Sequence, residues 1–409
     1  MTDLPRSGPA SAPASDSRRA SRVFLDHNAT SPLRPEARTA FLSALDAGGN
    51  ASSIHADGRA ARARVERARA QVAALAGADS RAVVFTSGAS EANSLVLHPQ
   101  VERSGRALRC DVLLTGAVEH PSVLQGHRFA PEAVEVLPVD DAGRLDLAAL
   151  DAALARHAAA GRRALVSLML ANNETGIIQP VAQAARLARA HDGVVHCDAV
   201  QGAGRMELSL PALGVDFLTL SSHKIGGPQG AGALVARDAE TRMPVPLIAG
   251  GGQERGRRGG TENVAAIAGF GAAAEAARVH LTREPERLEG LRARLETGIV
   301  ERLQGVRVVG AGAERLPNTS CVIFAGLKAE TLVIALDLAH VSVSAGSACS
   351  SGKVGASHVL AAMGYAGDDA SGAVRLSLGW SSSEDDVDTA LVALSRVVPR
   401  LNNRPVRAA

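Results

Sequence analysis

Short apolar runs recur along the chain, each closing on glycine or a polar residue: "RAVVFTSG", "DVLLTGAVEH", "RRALVSLMLANNETG", "GVVHCDAVQ" and "VDFLTLSSHK". Runs of this length, unbroken by polar alternation, read as strands buried on both faces. Between several of them lie Ala/Arg/Leu stretches with helical spacing, such as "AARARVERARAQVAALAG" and "VAQAARLARAH". Strands alternating with helices predict an α/β domain built on a largely parallel sheet covered on both sides. Ligands of such sheets bind beyond the carboxyl ends of the strands, and the polar residues that end these runs fall there. The stretch "AIAGFGAAAEAARVHLTREPERLEGLRARLETGIVERLQG" reads as long helices. It leads from a large domain, expected over 22–275 with its N-terminal segment contributing to the smaller one, into a smaller α+β C-terminal domain, expected over 276–409 and carrying Cys349. The first 21 residues are rich in Pro, Ser, Ala and Arg, and are expected to form a disordered tail.

Composition sharpens this picture. A length of 409 residues favours two domains. Hydrophobic residues make up 46% and aromatic ones only 2%, so the cores must be built from Ala, Val and Leu. A net charge of +2 gives no electrostatic case for nucleic acid or an anionic membrane. No apolar run approaches the roughly 18 residues of a membrane span, and the N-terminus lacks the apolar centre of a signal peptide. The cysteines are Cys110, Cys197, Cys321 and Cys349. They show neither C-x-x-C spacing nor a disulfide framework, which fits a reducing cytoplasm, and no metal site is read.

Arginine has replaced lysine almost everywhere: of 44 basic residues, only Lys224, Lys328 and Lys353 are lysines. Lys224 stands at the end of "VDFLTLSSHK", where a desolvated amine could form an imine with a carbonyl; a plain surface-turn lysine is the alternative. Asp198 ends "GVVHCD" and could pair with a protonated pyridine nitrogen, or simply cap a helix. Gln201, three residues on, could reach a ring oxygen. In "VVFTSGASEANSL", the N–H groups of Gly88, Ala89 and Ser90 could cradle a phosphate at a helix N-terminus, although Ser and Gly before a helix are also ordinary capping residues. Ser221, His223 and Thr261 could add phosphate donors. His120 could stack on a ring, Asn173 could bond to ring or substrate, and Arg375 could clamp a carboxylate. Cys349 lies in "SVSAGSACSSGKVGASH", whose small residues suit a nucleophile that moves; a buried thiol is the alternative. Cys110, Cys197 and Cys321 sit in or near apolar runs and fit a structural role better.

At this point the residues resemble a known family. "FLDHNATSP", "NASSIHADGRAAR", "VFTSGASEANSL", "EHPSVL", "NNETG", "HCDAVQGAGR", "SSHKIGGPQG", "GGGQERGRRGGTEN" and "SAGSACSSG" follow one another in the order found in cysteine desulfurases of the nitrogenase-associated and housekeeping iron–sulfur type. These are class V aminotransferases, and the resemblance runs from about Val23 to about Ser382. It implies the pyridoxal phosphate (PLP)-dependent transferase fold type I: a mostly parallel seven-stranded sheet in the large domain plus a smaller α+β C-terminal domain. It implies Lys224 bound to PLP as an imine, Asp198 at the pyridine nitrogen and Gln201 at the phenolic oxygen. His120 would stack on the ring, with Asn173 beside it. Ala89, Ser90, Ser221 and His223 would hold the phosphate, and Thr261 would come from the second subunit of a homodimer. Asn28 would lie near the substrate, Arg375 would bind its carboxylate, and Cys349 would carry the persulfide.

The reaction so implied converts L-cysteine to L-alanine and passes sulfur through Cys349 to an acceptor protein, such as an iron–sulfur scaffold. Lys224 would move the Cα proton, and His120 would help deprotonate the substrate thiol. Selenocysteine lyase activity would use nearly the same site without strictly needing Cys349. A plain aminotransferase would leave the cysteine segment unexplained, and a non-enzymatic interaction protein would have no use for Lys224. There are departures from the family pattern. Ser90 stands where threonine is frequent, Ser222 where glycine is, and "IGGPQG" replaces a tyrosine- and lysine-bearing turn. The end at "VVPRLNNRPVRAA" lacks the long extension with which housekeeping members meet their scaffold, so the acceptor stays open.

Overall fold

All five strand-like runs enter one seven-stranded sheet. In the computed structural model, which describes residues 22–346, 357–365 and 367–402, its strands are β1 (Val83–Thr86), β2 (Val112–Gly116), β3 (Val134–Leu137), β4 (Ala164–Met169), β5 (Val194–Asp198), β6 (Phe217–Ser221) and β7 (Gly232–Ala236). The expected N-terminal tail and Cys349 lie outside the described residues. The spatial order is β1-β7-β6-β5-β4-β2-β3. Neighbours from β6 to β3 are parallel, whereas β7 runs antiparallel to both β6 and β1. The strands from β4 to β7 are buried along their whole length, the burial expected of a sheet covered on both faces. With β7 reversed, β1 and β6 point the same way, so β1, β2, β4, β5 and β6 all release their chains at one edge.

The helices that matter for the large domain are α1 (Pro35–Ala47), α2 (Ala56–Ala76), α3 (Ala89–Val96), α4 (Leu147–Ala159), α5 (Val181–Ala190) and α6 (Val264–His280). Few aromatic residues means thin side chains, and the helices respond by packing closely. A β-carbon placed on Gly271 of α6 would lie 2.5 Å from the Cα of Ala68 in α2. Backbones at that separation tolerate only small residues on the shared face, which is why both helices are so rich in alanine.

The smaller domain holds α7 (Glu284–Arg302), α8 (Ala329–Leu338) and α9 (Glu384–Asn402). Its four-stranded sheet contains β8 (Val306–Val308), β9 (Thr319–Phe324), β10 (Ser344–Ala345) and β11 (Ala373–Ser377), in the order β8-β9-β11-β10. The N-terminal segment crosses to this side: Leu25 donates to Ser342 O and accepts from Ser377 N, and Val23 and Leu25 join the smaller core. One apolar core runs through Ala277 and the other includes Leu288. The chain bends by 78° between α6 and α7. The two cores therefore divide at the turn after α6, a few residues beyond the 275/276 division expected from the sequence. Both sides of the turn are helical, and the sign of the break is local: Pro285 stands in the first turn of α7, after "HLTRE". Among the described residues, no single helix is long and apolar enough to cross a membrane.

Candidate active site

The sheet edge where β1, β2, β4, β5 and β6 end opens into a cleft of about 690 Å³, within the usual size of small-molecule sites. Asp198 and Gln201 follow β5, Ser221, His223 and Lys224 follow β6, and Ala89 and Ser90 follow β1 on the first turn of α3. His120 follows β2 and Asn173 follows β4. Asn28 and Arg375 close the cleft from the smaller domain's side. All these residues, singled out above, thus converge on one space. Thr261 does not: it is exposed and lines a separate hollow of about 190 Å³ with Gly230, Glu254 and Arg258.

Lys224 is half-buried, and its Nζ donates to the carbonyls of Asn28 at 2.5 Å and Ala29 at 2.9 Å. Asp198 is 7% exposed. Its Oδ2 accepts from Asn93 Nδ2 at 2.8 Å and its Oδ1 from the Val200 N–H at 3.1 Å. Gln201 Nε2 donates to Asn28 O at 3.1 Å, and Arg205 donates to Gln201 Oε1. His120 caps the turn Pro121–Leu124, its Nδ1 accepting from Ser122 N at 3.1 Å. Burial lowers the basicity of His120, and Lys224 and His358 lower it further, against an opposing pull from Asp198. His223 bonds to Thr30 Oγ1 at 3.2 Å. Burial and then Lys224 bring it down to about 4, so its ring is neutral near pH 7. Arg375 Nη1 donates to Asn173 O at 3.1 Å and Nη2 to Asp26 Oδ1 at 2.7 Å.

The sequence matches the aminotransferase class-V family over residues 23–390. A cysteine desulfurase of Gluconacetobacter diazotrophicus is 40% identical over 387 residues, covering 93% of this chain and 94% of that one. A cysteine desulfurase of Cereibacter sphaeroides is 42% identical over 386 residues, with 93% and 96% covered. The chain belongs to the cysteine desulfurases of the class-V aminotransferase family. Among solved structures, a NifS-like protein from Rickettsia africae superposes with a TM-score of 0.82 at 32% identity, covering 92% of this chain and 99% of that one. The fold type I architecture is therefore shown both by the strand order and by this likeness.

The cleft of this cysteine desulfurase family member fits the cofactor that the family resemblance implies. The first N–H groups of α3 have no partner inside the helix, and they border the cleft beside Gly88. The turn has room because β7 begins with glycine: a β-carbon on Gly232 would lie 2.6 Å from the carbonyl carbon of Gly88. A helix N-terminus suits a phosphate, the buried carboxylate of Asp198 suits a pyridinium nitrogen, and the Lys224 amine suits an aldehyde carbon.

Sequence reading missed four polar residues around these groups. Asn93, fully buried on α3, orients Asp198, and its own Oδ1 has no partner. Asp26 holds Arg375. Glu119 is fully buried beside His120; its Oε1 accepts from Met169 N at 2.7 Å, and burial, helped by Asp198, pushes its carboxyl well above the usual range. Glu174 is buried next to Asn173. Glu119 and Glu174 each lie one residue from a singled-out residue, Asp26 lies two from Asn28, and Asn93 is on a helix face that is otherwise apolar. An asparagine between alanine and valine positions of an inward face is the one signal that could have been read.

Proposed function

We propose that this chain is a PLP-dependent cysteine desulfurase that converts L-cysteine to L-alanine and leaves the sulfur on Cys349 as a persulfide. The observation that carries it is the placing of one amine, Lys224, and one buried carboxylate, Asp198, on adjacent strand ends of a cleft that also holds a helix N-terminus. Bound there, PLP supplies an electron sink conjugated with the substrate's Cα. Ala89, Ser90, Ser221 and His223 hold its phosphate, Asp198 its ring nitrogen, Gln201 its ring oxygen, and His120 and Asn173 its faces and edges. Arg375 receives the substrate carboxylate, with Asn28 beside it. Lys224 accepts the Cα proton at Nζ. His120, whose basicity burial lowers, takes the substrate thiol proton. Cys349 thiolate bonds to the substrate sulfur as the Cβ–S bond breaks; that bond's electron pair stays with carbon, and Cβ is protonated. The balance is L-cysteine plus a thiol giving L-alanine plus a persulfide, with no external oxidant.

Thr261, exposed outside its own chain's cleft, is assigned to the phosphate of a second copy in a homodimer. A protein thiol acceptor, such as an iron–sulfur scaffold in the cytoplasm, then takes the sulfur. The test is incubation of the purified protein with L-cysteine. L-Alanine should form, and the peptide carrying Cys349 should gain the mass of sulfur. Turnover of selenocysteine alone would move the assignment to a lyase.

Asp198→Asn tests the electron sink. The amide should be accommodated: if Asn93 turns its own amide over, its unpartnered Oδ1 accepts from the new side chain. Thermal stability should change little, whereas kcat for alanine formation should fall at least about a hundredfold, each decade being about 1.4 kcal/mol. Unchanged kcat would reduce Asp198 to a structural cap.

A further inference from the structure

Glu174 is 3% exposed and has no part in the steps above. It sits on a rigid turn. Asn172 Oδ1 accepts from the N–H groups of Glu174 at 2.9 Å and Thr175 at 3.0 Å, and Asn172 Nδ2 donates to Val118 O at 3.0 Å. Gly176 closes the turn at φ +76°, where a β-carbon would also lie 2.8 Å from Thr319 Cβ. Within this turn Asn173 lines the cleft, and its carbonyl accepts from Arg375 Nη1 and Asn28 Nδ2.

The Glu174 carboxylate faces other partners. Ser357 Oγ lies 2.6 Å from its Oε2. Gly346 is so near that a β-carbon there would sit 3.5 Å from the same oxygen. Gly346 and Ser357 are the residues on either side of 347–356, the stretch of sequence that carries Cys349. The Gly346 end is tied to β11 through Ala373 O at 3.0 Å. The Ser357 end is tied to the cleft wall by His358 Nε2, 2.9 Å from Glu119 O. One buried oxygen thus holds the Ser357 flank and would contact any side chain placed at Gly346, from a turn whose previous residue borders the cleft. Burial pushes the Glu174 carboxyl up to about 7, against the lowering effects of Ser357 and Arg375, so its desolvation costs stability that a neutral residue would not.

We propose that Glu174 is a positioning residue: it holds the Ser357 flank of the Cys349-bearing stretch against the Asn172–Gly176 turn, and sulfur transfer to Cys349 depends on it while proton movement at the substrate Cα does not. This rests on the function proposed above. The hydroxyl–carboxylate contact at 2.6 Å is the short, charge-assisted kind, and losing one such bond is sufficient for an effect of about tenfold.

Two readouts on the PLP-loaded full chain separate the roles. Exchange of the L-alanine Cα proton with deuterated solvent needs Lys224 and not Cys349. Single-turnover persulfide formation, read by mass spectrometry of the Cys349 peptide, needs both. Glu174→Ala is expected to slow persulfide formation about tenfold or more while exchange stays within about twofold of wild type. Glu174→Gln keeps an oxygen that can accept from Ser357 and should restore most of the rate, and Ser357→Ala should reproduce the defect. Should Glu174→Ala fail to load cofactor, Ser357→Ala decides the matter by the same two readouts. Wild-type persulfide formation in the deciding variant, or an equal fall in exchange and transfer, overturns the proposal. Wild-type protein that exchanges the Cα proton but places no sulfur on Cys349 overturns the functional reading together with it.

Discussion

Lys224→Ala should fold, bind no cofactor covalently and form no measurable alanine from L-cysteine. The fold should survive because the Asn28 carbonyl that Lys224 bonds keeps a second donor in Gln201. Catalysis should not survive, because the same nitrogen serves as anchor and proton acceptor. Loss of a positioned general base alone costs about 10²–10⁴-fold, and loss of the covalent link removes the group the substrate must displace. Lys328 is not among the residues lining the cleft, so among the described residues no other lysine amine stands in. The checks are the absorbance spectrum of the purified variant, its thermal midpoint and an alanine assay. A variant retaining more than about a tenth of wild-type kcat would remove Lys224 from the chemistry.

Cys349→Ser should retain the cofactor and bind L-cysteine, yet release no sulfur and carry no persulfide. Serine has nearly the size of cysteine, but the thiolate is the species that attacks sulfur. The other three cysteines cannot replace it. Cys110, Cys197 and Cys321 are all fully buried in apolar clusters. Burial pushes the thiols of Cys110 and Cys321 up to about 12 and that of Cys197 well above its ordinary value. At pH 8 a thiol of that kind is ionised in roughly one molecule in 10⁴. Alkylation of the native protein should therefore spare these three, and their alanine variants should lose stability rather than the capacity to form persulfide. Sulfur found on one of them, in a Cys349→Ser variant still turning over L-cysteine, would refute the mechanism.

The cleft was legible in the sequence because each of its sheet-edge residues ends an apolar run. Asp198 after "GVVHC" and Lys224 soon after "VDFLTLSS" are polar groups placed by the strand that precedes them, and a strand is a local pattern. The reversal of β7 was not legible: "GALVA" is a short apolar run, and its direction depends on partners far away in sequence. The same holds for Asp26 and Glu174, carboxylates that follow apolar stretches and whose partners lie far away in sequence. β11 brings Arg375 to the first, which is partly buried, and the Ser357 turn comes to the second, which is buried. The apolar face of α3 marks Asn93 as an inward polar residue, but its partner Asp198 follows only from α3 lying over the end of β5. Local pattern thus supplied the residues that touch the cleft, and tertiary contact supplied those that hold them.

Trp380 stands at the smaller domain's edge, between β11 and α9. Its indole N–H bonds to Pro32 O at 2.9 Å, its ring lies beneath the Arg34 guanidinium at 5.5 Å, and its carbonyl accepts from Arg287. Arg34 in turn forms a buried ion pair with Glu284 at the start of α7. The chain contains one tryptophan, so all indole fluorescence comes from this seam between the N-terminal segment, α7 and the smaller sheet. Emission wavelength and quenching will report local opening of the seam, whereas circular dichroism reports the cores. The molecule carries its own optical probe, at the place where its two cores meet.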